Sequence, residues 1–86
     1  MYEIYYTKQA KKDYQKLKLS YLHTKFIELI DIIKINPFEN PPPYEVLTGD
    51  MEGVISRRLN KQHRLVYQVL TDDNAIKVLR MWTHYE

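Results

Sequence analysis

The 86-residue chain contains no cysteine, which excludes disulfide stapling, thiolate chemistry and cysteine-ligated metal sites, and fits a reducing compartment. No run approaches the roughly 20 apolar residues that a membrane helix requires. The opening Met-Tyr-Glu-Ile-Tyr-Tyr lacks the basic start and apolar stretch of a secretory signal. The expected location is therefore the cytoplasm, with no membrane partner. Internal repeats are absent, and the length leaves room for one core, so residues 1–86 are expected to form a single domain. Acidic residues are missing from the whole stretch between Gly53 and Thr71, although the net charge is only +2.

What is present is a globular composition, with 44% hydrophobic residues against 28% charged, far from the signature of a disordered chain. The charge is segregated. Lys8, Lys11, Lys12, Lys16 and Lys18 crowd one early segment and read as the solvated face of a helix. Arg57, Arg58, Lys61 and Arg64 fall in the acid-free stretch, where they create a local positive field of the kind a phosphate-binding surface needs.

Residues Tyr2 to Tyr6 are aromatic and β-prone and read as an opening strand. Thr7 is placed to cap a helix from Lys8 to about Leu19, with Ala10, Tyr14 and Leu17 at helical spacing. Ser20 repeats the capping role for a second helix, in which Leu22, Phe26, Leu29, Ile30 and Ile33 trace one apolar stripe. Pro37 ends it near Asn36. Four prolines from Pro37 to Pro43 make a stiff extended connector. Strands are expected at Tyr44 to Leu47, Gly53 to Leu59, Arg64 to Leu70 and Ala75 to Trp82, in an antiparallel meander. The fold class is α+β, with two N-terminal helices packed on one face of a twisted antiparallel sheet and the other face free for charged strand residues.

If Leu59 pairs with His63 across Asn60-Lys61-Gln62, Arg58 and Arg64 become cross-strand neighbours on one face. Like charges so placed repel unless an anion lies between them, which points to a ligand; a slip of one residue would separate them. The chain ends Trp82-Thr83-His84-Tyr85-Glu86, offering an imidazole able to exchange a proton near neutral pH and a phenol able to stack on a base.

Glu45, the run Ser56-Arg57-Arg58-Leu59, the run His63-Arg64-Leu65-Val66-Tyr67 and the terminal His84-Tyr85 together resemble the signature blocks of the RelE/YoeB family of toxins, on its YoeB side. The resemblance implies a RelE-like fold and a ribosome-dependent mRNA endonuclease acting in the ribosomal A site. It implies no cofactor or metal, an inhibitory antitoxin of the YefM kind and a homodimer. By the same match Glu45, Arg64, His84 and Tyr85 are the catalytic residues. Arg58 faces phosphate, while Arg57 and Lys61 are further RNA- or phosphate-binding candidates. Metal-free RNA cleavage needs the 2′-hydroxyl deprotonated, the phosphorane charge neutralised and the leaving 5′-oxygen protonated. The expected roles are Glu45 as base, His84 as acid, Arg64 and Arg58 as charge stabilisers and Tyr85 as an orienting or stacking group. Related chains carry Pro beside this Glu and Lys three residues beyond it; here the neighbours are Tyr44 and Val46, and the later position is Thr48. Glu86 extends past the tyrosine.

By strand alternation Arg57 should face away from Arg58, making an ion pair or antitoxin contact an alternative use for it. His63 is expected to be structural, His23 an exposed helix residue and Trp82 part of the core. The three histidines show no metal-ligating spacing. Two other functions compete: a non-catalytic interaction toxin like the ParE proteins, and an RNA-binding module whose arginines hold phosphate while nothing transfers a proton.

Overall fold

The computed structural model describes residues 1–47, 49 and 53–82. Strand β1 (Glu3–Tyr6) runs directly into Thr7, whose hydroxyl accepts from the Ala10 amide at 3.0 Å and donates to the Leu79 carbonyl at 3.0 Å. One side chain thus starts helix α1 (Lys8–Leu17) and ties it to the far end of the chain. A cap of this kind contributes about 1 kcal/mol.

Helix α1 stops two residues short of the expected Leu19, and Ser20 is not the cap of α2 (His23–Ile35), which follows Leu22. The reason lies in the Ser20 hydroxyl: it donates to the Leu17 carbonyl at 2.7 Å and accepts from the Leu22 amide at 3.1 Å. It bridges the two helices instead of starting one. The stripe expected on α2 is observed, for Leu22, Phe26, Leu29, Ile30 and Ile33 are all buried, each contributing about 1.5–3 kcal/mol. Asn36 is extended and Pro37 follows, as the backbone restriction ahead of proline requires.

The remaining strands are β2 (Glu45–Val46), β3 (Val54–Arg58), β4 (Arg64–Leu70) and β5 (Ala75–Arg80). The sheet order is β1-β5-β4-β3-β2. The meander from β2 to β5 is antiparallel as expected, whereas β1 lies parallel to β5; the helical crossover between them makes that pairing possible. Gly53 leads into β3 at φ +73, where a Cβ would stand 3.0 Å from the Val69 carbonyl oxygen, so only glycine enters this strand without strain.

Strand β2 is shorter than expected, although the Leu47 amide still donates to the Val54 carbonyl at 2.9 Å. Strand β5 ends at Arg80, not Trp82, because the Met81 and Trp82 amides turn to the Asp13 carboxylate. Ile55, Leu59, Leu65, Tyr67, Val69, Ile76 and Val78 join the helical residues in one core. By alternation, Ser56 and Arg58 of β3 belong to the opposite face, and register places Glu45 beside Ser56 and Arg64 beside Arg58. The helices therefore cover one face, and the other carries these polar side chains beside the buried Val54 and Val66. Among the described residues no helix is long and apolar enough to cross a membrane.

Candidate active site

The hairpin between β3 and β4 fixes the central pair. The Leu59 amide donates to the His63 carbonyl at 2.9 Å, and the Asn60 carboxamide oxygen accepts from the Gln62 and His63 amides at 2.8 and 2.7 Å. With the turn pinned in this way, Arg58 stands directly opposite Arg64, the register in which the two cations are neighbours. Part of their repulsion is offset by Glu45, whose Oε1 lies 3.5 Å from Arg64 Nη1; Ser56 Oγ is also 3.5 Å from that nitrogen. Both contacts are longer than a strong charge-assisted hydrogen bond.

A cleft of about 250 Å³ opens at this corner of the sheet, lined by Glu45, Arg57, Arg58 and Arg64 together with Lys25 of α2. One carboxylate among several cations gives the cleft a net positive field suited to an anion. Lys25 was not singled out by the sequence reading. Nothing local marks it, since a lysine on a helix surface is ordinary and only the packing of α2 brings it here.

Arg57 reaches the lining of the cleft, but its donors are engaged by the protein itself. It is 1% exposed and lies on the core face, opposite in direction to Arg58 as alternation requires. Its Nε donates to Tyr67 Oη at 2.9 Å, Nη2 to the carbonyls of Pro37 and Glu39 at 3.1 and 2.8 Å, and Nη1 to the Pro42 carbonyl. The guanidinium carbon stands 4.8 Å from the centre of the Tyr44 ring. Tyr67 Oη in turn donates to the Pro37 carbonyl at 2.7 Å; burial pushes this hydroxyl's pKa up, against the lowering effect of Arg57, and keeps it a donor. Lys61 sits exposed at the hairpin tip, away from the cleft lining.

The chain leading to His84 and Tyr85 is described as far as Trp82; His84, Tyr85, Glu86 and Thr48 lie outside the described residues. Trp82 stacks on His63 with ring centroids 3.9 Å apart and planes inclined by 18°, so both belong to the scaffold. His23 is not freely exposed: it is half-buried with Nε2 3.1 Å from Tyr14 Oη. Among the described residues no three His, Asp or Glu side chains gather as a metal site.

Asp13 holds this last segment and was missed by the sequence reading. It is 2% exposed, and its Oδ2 accepts from Arg80 Nε at 2.8 Å and from the Met81 and Trp82 amides at 3.1 and 3.3 Å. Burial alone would raise this carboxyl, but Arg80, the Met81 amide, Gln9 and the Trp82 amide outweigh it and hold its pKa below the usual aspartate value. A depressed carboxyl contributes stability that is present above its unfolded value and lost as pH falls through the folded one. Thermal unfolding from pH 7 down to about pH 2 is thus expected to show a steeper acid loss in the wild type than in Asp13→Asn. Equal slopes would show that the carboxylate is not the group responsible.

Two helices backing one face of a five-stranded sheet make the RelE-like fold expected from the sequence, and the cationic cleft opens at its corner, between β2, β3 and α2. The chain belongs to the YoeB-like toxin family of bacterial type II toxin-antitoxin systems, whose model matches residues 6–85. The YoeB toxin of Escherichia coli strain K12 is 39% identical over 61 residues, covering 71% of this chain and 70% of that one. Two solved structures from Staphylococcus aureus are similar throughout. Its YoeB dimer matches with a TM-score of 0.82 at 36% identity over 98% of each chain. Its heterotetrameric YoeB-YefM toxin-antitoxin complex gives 0.80 at 35% identity over 99% of each chain.

Proposed function

We propose that the protein is a metal-independent endoribonuclease that cuts mRNA in the ribosomal A site and is held inactive by a YefM-like antitoxin. The observation that carries this reading is the placing of Glu45 3.5 Å from Arg64, with Arg58 opposite Arg64 in one cationic cleft. Glu45 takes the proton of the 2′-hydroxyl, and the freed oxygen attacks the adjacent phosphorus. Arg64 and Arg58 neutralise the growing charge on the non-bridging oxygens, a task that otherwise falls to a metal ion. His84 gives its proton to the departing 5′-oxygen, and Tyr85 orients or stacks the nucleotide. The products are a 2′,3′-cyclic phosphate and a 5′-hydroxyl.

Lys25 supplies the cleft with a cation in place of the lysine that related chains carry at the position of Thr48. The S. aureus YoeB dimer and its YefM complex support a homodimer and an antitoxin partner here as well. A cytoplasmic location follows from the ribosomal target.

The test is to incubate the purified protein with free mRNA and with programmed ribosomes and to identify the cut ends. Cleavage is expected on ribosomes alone, with 2′,3′-cyclic ends, and His84→Ala should slow it by about 10²–10⁴-fold. No cleavage on either substrate would favour the ParE-like interaction toxin or the RNA-binding module. Cleavage equal on both would remove the ribosome from the mechanism.

A further inference from the structure

We infer that Arg57 is a positioning residue, which sets Glu45 in place by clamping the proline connector from the inner wall of the cleft. The inference rests on the role of Glu45 as general base.

The connector from Pro37 to Pro43 has four residues without an amide proton, so it cannot be held by a ladder of its own. Its carbonyls still need donors. Those of Pro37, Glu39 and Pro42 converge on one guanidinium, which is buried to 1% exposure. The planar fork of arginine suits this task, because it directs several N–H groups along fixed lines. Among the described residues no carboxylate pairs with Arg57; carbonyl dipoles, the Tyr67 hydroxyl and the Tyr44 ring surround its charge instead.

Stability alone does not account for a cation in this place. Burying a charge carries a desolvation cost that an apolar side chain of similar volume avoids, so such a group is weak evidence of stabilisation. What the guanidinium provides is one geometry for the segment that ends at Tyr44 and Glu45. Glu45 follows Tyr44 and is fixed on its other side by pairing with Ser56. Strand β3 thus carries Arg58 toward the cleft and Arg57 toward the connector, so that base and phosphate ligand are set from the same two residues. A shift of the base by about 1 Å is enough to cost on the order of 100-fold in rate.

The experiment is a double-mutant cycle between Arg57→Lys and Glu45→Gln, read as single-turnover cleavage on programmed ribosomes, with the fold checked by circular dichroism and amide NMR. Lysine keeps the charge but loses the fork. Arg57→Lys is expected to lower the rate constant by about 10–100-fold while the half-saturating concentration stays near that of the wild type. The double variant should be no slower than Glu45→Gln alone. Amide signals of Tyr44 and Glu45 should move while those of Arg58 and Arg64 stay in place. A phosphate contact would act differently, raising the half-saturating concentration, lowering the salt dependence and multiplying with the loss from Glu45→Gln; that pattern, or a wild-type rate in Arg57→Lys, overturns the inference. Tyr67→Phe removes the hydroxyl that receives Arg57 Nε and leaves the charge, so it runs the same cycle if the lysine variant does not fold. If the wild type cuts no RNA, the proposed function fails, and the NMR shifts still decide whether Arg57 places Glu45.

Discussion

Arg64→Ala is expected to slow single-turnover cleavage on ribosomes by about 10²–10³-fold, the loss typical of removing one donor aimed at transition-state charge. Arg64 is suited to that role because its side chain is 17% exposed, so its charge acts in a medium less screened than bulk water. Two of its neighbours in the cleft, Glu45 Oε1 and Ser56 Oγ, both lie at 3.5 Å, beyond the length of a strong charge-assisted bond. The fold should tolerate the change: the Glu45 contact is half in solvent, of a kind that contributes about 0–1 kcal/mol, and the repulsion from Arg58 is lost with it. Arg64→Lys keeps the charge without the fork and should fall between the two. Arg58 is exposed, so Arg58→Ala should act more on the half-saturating concentration than on the rate. An Arg64→Ala variant that binds more weakly yet cuts at the wild-type rate would reduce Arg64 to a docking contact.

The parts of this cleft differ in how far the sequence reveals them, and the difference follows the range of the interactions. The Arg58–Arg64 pairing is legible because a short turn carrying Asn60 leaves one favourable register for two alternating strands. The α2 stripe is legible because burial repeats with the helical period. Asp13 and Arg57 are not, since each looks like a surface residue until its partners are known: Arg80 lies 67 residues from Asp13, and Pro37 lies 20 from Arg57. A buried charge is determined by what folds against it, and local periodicity holds no record of that. The same holds for the parallel pairing of β1 with β5, and for the early end of β5, where two amides leave the strand for the Asp13 carboxylate. The family resemblance names Arg57 beside Arg58, yet one step along a strand reverses the face, and with it the task.

Glu45→Gln is expected to cost about 10²–10⁴-fold in cleavage with ribosome binding retained, because the amide keeps the shape of the side chain but cannot take the 2′-proton. The carboxylate is 64% exposed at the mouth of the cleft, where a substrate hydroxyl can reach it, and such contacts tighten when the substrate is bound. Rate loss alone would not separate a base from an acid, since His84→Ala predicts a similar range. Replacing the bridging 5′-oxygen of the cut phosphate by sulfur does separate them. A thiolate leaves without a proton, so the sulfur substrate should restore cleavage by His84→Ala and leave Glu45→Gln slow. Rescue of Glu45→Gln in place of His84→Ala would exchange the two roles. It would also move the acid to the carboxylate that Arg57 holds, making the connector the side from which the leaving group is protonated.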